Sequence, residues 1–142
     1  MSTWTAPFRD VGVDTNAYTA GDALGVFMIF TAIPEHGVIH AIQVIDRDKE
    51  DVNLDVVMFN AAIAGSAANA AFAPTDAELS TLVGSVLIST WKDFSTNSMG
   101  IATAIGLPYW APSNRLWIQC VTRGTPTYTA ATDVLLSLSI VV

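Results

Sequence analysis

At 142 residues the chain is long enough for one domain with a core of its own, and its lone Cys120 excludes an internal disulfide. Charged residues make up 13% and apolar residues 51%. An ordinary soluble domain is roughly 25% charged, so neutral polar side chains and contacts with other chains must cover surface that charge does not. The net charge of −7, with six scattered basic residues, excludes the cationic footprint that nucleic acid or an anionic membrane surface requires.

The elements follow in chain order. Residues 1–11 carry Trp4, Pro7 and Phe8 without strand alternation, and Pro7 disfavours helix at Ala6. They are expected to form an N-terminal arm, extended and mobile, ahead of a single domain over residues 12–142. Trp4 and Phe8 on such an arm are interface anchors; a strand tucked onto the chain's own sheet is the alternative. The first residues have neither the basic nor the apolar region of a signal peptide. No apolar run reaches the ~18 residues of a membrane span, and the longest, Ala23 to Ile33, is interrupted by Gly25 and Thr31.

From there the dominant period is two. Strands are expected over 26–33, 38–45, 54–59, 83–88, 116–121 and 136–142, rich in Val, Ile, Phe and Thr. Both faces of Val38 to Ile45 are largely apolar, which marks a strand that is central, or that meets a core on one side and a neighbour on the other. Turn signals at Ala20–Asp22, Pro34–Gly37, Asn97–Gly100 and Arg123–Pro126 separate the runs. Many short strands split by turns indicate an all-β sandwich or barrel. Thr75-Asp76-Ala77-Glu78 is a capping box and predicts one short helix over about 75–82, with Gly84 placed for a left-handed cap. Residues 60–73 are nearly all small. They are expected as a long loop or crossover, either a tolerant surface segment or one packed tightly near a symmetry axis.

Catalytic chemistry finds no footing in this pattern. His36 and His40 flank a turn entering a strand, so they do not share a helix face as a metal pair requires. The acidic run Asp46 to Asp51 lacks the glycine and glutamate of a calcium loop, with Asp51 and Val57 at those positions, and is read as a solvated loop. Cys120 lies within a strand, where nothing activates its thiol. No nucleophile elbow or nucleotide-binding glycine pattern occurs. We therefore expect no enzyme, no metal and no cofactor. Of the four tryptophans, Trp4, Trp91, Trp110 and Trp117, a sugar-binding face is one use; core and interface anchoring is the favoured one.

Several segments in order carry a resemblance: Asn16-Ala17-Tyr18-Thr19-Ala20-Gly21-Asp22-Ala23-Leu24-Gly25; Ile45-Asp46 through Leu54-Asp55-Val56-Val57-Met58-Phe59; Ala71-Phe72-Ala73-Pro74-Thr75-Asp76-Ala77-Glu78 with Val83-Gly84; and Gly124-Thr125-Pro126-Thr127-Tyr128 with Thr132-Asp133-Val134-Leu135-Leu136. From about residue 12 onward the chain resembles head decoration, or cement, proteins of tailed bacteriophages. The resemblance implies a jelly-roll-like antiparallel β-sandwich that forms homotrimers. It implies a virion protein made in the host cytoplasm, bound to the major capsid protein on the outer capsid surface. It carries over no catalytic residue. Trp4, Phe8, Trp91 and Trp110 are the expected interface residues. Another virion part, in the tail, baseplate or host-binding apparatus, and a carbohydrate-binding sandwich are the competing expectations.

Overall fold

The computed structural model describes residues 2–142, and in it the period-two runs become strands. They are β1 (Thr3–Thr5), β2 (Arg9–Asp10), β3 (Met28–Thr31), β4 (His36–Asp46), β5 (Leu54–Phe59), β6 (Leu82–Ile88), β7 (Trp91–Asp93), β8 (Ser98–Ala102), β9 (Leu107–Trp110), β10 (Arg115–Thr122) and β11 (Val134–Val141). One short helix, α1 (Asp76–Leu79), precedes β6. A seven-stranded sheet runs β1-β11-β4-β8-β7, with β2 also on β11 and β9 also on β4; a four-stranded sheet runs β3-β10-β5-β6. Every pairing is antiparallel. The orders β1-β11-β4-β8 and β3-β10-β5-β6 are the two four-stranded halves of a jelly roll, with β2, β7 and β9 added at the rim.

Alternation decides which side chains meet between the sheets. Ile42 and Val44 of β4, Leu136, Leu138 and Ile140 of β11, Val56 and Met58 of β5, and Leu116, Ile118 and Cys120 of β10 point inward and are buried in one core. Ile39 is also inward, three residues before Ile42, which breaks strict alternation. The register explains it: Ile140 opposes Ile39 while Ser139 opposes Ala41, so His40 is the extra residue of a bulge.

Four expectations are corrected. Residues 2–11 are not a free arm, residue 1 lying outside the described residues: β1 and β2 both pair with β11, and Ala6 and Val11 are buried. Strands of three and two residues around Pro7 are too short to show a period, so the alternation that reveals other strands is missing. The strand expected over 26–33 is confined to Met28–Thr31. The helix keeps its capping box on Thr75 and Glu78 but ends at Leu79, with Ser80 as its cap. Gly84 is no cap: it lies inside β6, where an added Cβ would come within 2.9 Å of the Leu107 side chain.

The small-residue stretch 60–73 lies across the outer face of the four-stranded sheet. Ile63 and Phe72 cover Val57, Phe59, Trp117 and Val121 there, forming a second, smaller core. Gly65 has φ +73°, and a Cβ on it would come within 2.7 Å of the Phe27 ring. Close approach of backbone to sheet is thus why the side chains are small, and the packing is within one chain.

Candidate interaction surface

The four expected interface residues do not converge. Trp4 opposes Ile140 on the inward face of its strand and packs against the core. Trp91, at the opposite edge of the sheet, also packs on the core; it lies over Gly100, where a Cβ would come within 2.9 Å of its ring. Phe8 is 38% exposed and Trp110 is 53% exposed. Trp110 stacks on His36, with ring centres 6.4 Å apart, and its Nε1 donates to Glu35 at 3.2 Å. Of the four, Phe8 and Trp110 are open to a partner.

The acidic residues that looked solvated are largely engaged within the fold. Asp46 is the last residue of β4 and is buried; its carboxylate accepts N–H groups from Asp48 and Glu50, each at 2.9 Å, and from Asp51 at 3.2 Å. Burial pushes the Asp46 carboxyl above its ordinary range, against these three hydrogen bonds. Asp48 accepts from the Thr129 N–H at 2.6 Å, and Glu50 accepts from the Thr127 N–H at 2.7 Å. Asp133 accepts from the Ala130 N–H at 2.8 Å and the Thr129 hydroxyl at 3.0 Å. The loop after β4 is therefore a clamp holding the segment before β11, rather than a free acidic loop.

Among the described residues no three His, Cys, Asp or Glu side chains gather as a metal-binding group. Cys120 is buried, and burial pushes its thiol up to about 12, so it stays protonated and unreactive at neutral pH.

What remains is the outer face of the large sheet. Leu135 and Val141 of β11, Val38, Ala41 and Ile45 of β4, and Met99 and Ile101 of β8 alternate with the inward set and so lie on this face. None of them belongs to either core or packs against one, and all are half-buried or exposed. Pro108 opposes Val38, and Trp110 opposes His36, which extends the face along β9. Between the apolar ends lie neutral polar residues: Ser137, Ser139 and Gln43 on the strands, with Thr3 and Thr5 at the β1 edge. The charged residues that the register places on it, Asp10 of β2 and Lys92 of β7, stand at its two edges. The two apolar faces of β4 in the sequence were the signal for this surface; the contributions of β8 and β11 follow only from their pairing with β4. No protein-family model, no curated protein and no solved structure matches the chain.

Proposed function

We propose that this chain is a non-catalytic structural protein that decorates the outside of a bacteriophage capsid, assembling with copies of itself and with the major capsid protein to stabilise the shell. The observation that carries the reading is the outer face of the large sheet: a broad, nearly uncharged surface whose apolar side chains are half-buried or exposed, covered by the N-terminal segment at Ser137. A face of this kind on a jelly roll suits contact. Each Å² of apolar surface removed from water contributes roughly 25 cal/mol before the costs of association. Repeated over many copies on a shell, weak contacts add to avidity. The homotrimer of the family that the sequence resembles is one such assembly, and no cofactor is needed for it.

The test uses shells assembled without this protein. Sedimenting them with increasing amounts of the purified chain should show saturable uptake, and loaded shells should withstand higher temperature before releasing DNA. Absence of uptake at saturating concentration sinks the reading. A second reading, glycan binding, rests on the exposed Trp110 with His36 stacked beside it. A glycan-array signal that Trp110→Ala abolishes would favour it.

A further inference from the structure

We infer that the outer face of the large sheet pairs with the same face of a second copy of this chain, about a two-fold axis running along β4. The inference rests on the reading of that face as a contact surface, and names what it contacts.

The registers of four pairings place five residues in one row across the face. Asp10 of β2 opposes Leu135 of β11, Leu135 opposes Ile45 of β4, Ile45 opposes Met99 of β8, and Met99 opposes Lys92 of β7. Residues directly opposite in antiparallel strands share a face. The row therefore runs acid, three large apolar side chains, base, from one edge of the sheet to the other. At about 4.8 Å per strand it spans ~19 Å.

A two-fold axis along β4 reverses this row in the second copy. Asp10 then meets the second copy's Lys92, Leu135 meets the second copy's Met99, and Ile45 meets itself. The row is self-complementary in charge and matched in bulk, as an isologous interface requires. An axis lying along the row itself would set Asp10 on Asp10 and Lys92 on Lys92, which like-charge repulsion disfavours. Charge thus selects one orientation. It keeps the strands of the two sheets nearly aligned, a normal packing of sheet on sheet.

The neighbouring rows accept the same axis. Gln43 and Ile101 form the next row, with Ser137 buried beside them under the Ala6 carbonyl, and Thr5, Ser139 and Ala41 form the one after. Thr3, Val141, Val38 and Pro108 follow. No charge lies in any of these three rows. From Ile45 to Val38 the face is ~23 Å long at about 3.3 Å per residue. The flat footprint is thus about half of the ~800 Å² per partner in a standard interface. The pairing is accordingly a weak one in free solution, strengthened where copies are held close together. It is a separate contact from the three-fold one implied by the sequence resemblance.

Sedimentation velocity on the full chain, from about 1 to 500 µM, tests the pairing. The expected result is a reversible monomer–dimer equilibrium in that range. Ile45→Lys, which sets two cations together at the axis, should weaken dimerisation at least about tenfold. Asp10→Lys should weaken it too, and Asp10→Lys combined with Lys92→Asp should restore it to within about threefold of the parent. Asp10 and Lys92 are both exposed, so the charge-exchange variants fold even if Ile45→Lys does not; melting curves verify this. A chain that stays monomeric throughout overturns the inference, as does a dimer indifferent to all these changes. A trimer equally indifferent overturns it while leaving the assembly reading intact. A monomer whose uptake onto shells is abolished by Ile45→Lys also overturns it, and assigns the face to the capsid partner instead.

Discussion

Gln119 interrupts an apolar strand on the outward side of β10, and it is fully buried there. Its Nε2 donates to the carbonyls of Gly25 at 2.9 Å and Ser66 at 2.8 Å, while its Oε1 accepts from the Ser66 N–H at 3.1 Å. This one side chain fastens the 60–73 crossover to the sheet beneath it. Gln119→Leu keeps the volume but strands those main-chain groups, so it should cost roughly 2–4 kcal/mol in urea unfolding. A cost below about 0.5 kcal/mol would show that the crossover holds itself in place. Asp46 teaches the same lesson: an acid in a run of acids reads as solvated, and only its buried position reveals the three N–H groups it caps.

At the scale of elements, the N-terminal strands give the sharpest result. Thr3–Thr5 extends the large sheet, Ala6 donates its N–H to the Leu138 carbonyl at 3.0 Å, and the Ser137 hydroxyl donates to the Ala6 carbonyl at 2.7 Å. Trp4 covers the core, and the Arg9 guanidinium lies 5.1 Å from the centre of the Phe30 ring while donating to the Ile29 carbonyl. Deleting residues 2–9 should therefore cost the domain roughly 3 kcal/mol or more of its own stability, mostly through Trp4. An unchanged urea midpoint in the truncated chain would mark the segment as an appendage. The helix behaves as its capping box dictates, but it is one turn long because Leu82 pairs with Phe59 and begins β6.

For the whole molecule, the distribution of carboxylates sets the response to acid. Asp133 loses some acidity to burial, but the N–H groups of Ala130 and Thr129 and the Thr129 hydroxyl donate to its carboxylate, and it is held below its ordinary value of 3.8. Hydrogen bonds from Asn69 and Asn16 lower Asp14, and those from the Thr75 and Ala64 N–H groups lower Glu78. A carboxyl lowered in the folded state stabilises the fold above its ordinary value, and that stability is lost as pH falls through the lowered one. Asp46, raised by burial, has the opposite sign: its contribution is present below 3.8 and lost as pH rises through the raised value. Asp133→Asn should thus destabilise the protein at pH 7, and the gap from the parent should narrow as pH is taken below 3.8. Urea unfolding of both chains across that range measures it; a gap that stays constant with pH would mean that the charge on Asp133 plays no part.

The sequence by itself determined the fold class, most of the strands, most of the turns and the start of the helix, because periodicity and capping are relations between residues near one another along the chain; the turn expected at Asn97–Gly100 is instead the start of β8, at Ser98. It also marked Val38 to Ile45, with two apolar faces, as a strand that is central or that meets a neighbour as well as a core, and β4 is central in its sheet. Only the tertiary structure decided that residues 3–5 and 9–10 are strands, that residues 60–73 cover the small sheet and not the large one, and that Asp10, Leu135, Ile45, Met99 and Lys92 form one row. Those are relations of register between segments far apart in the chain. Register is set by pairing and by which side chains fill the core, and a shift of one residue would turn every side chain to the other face.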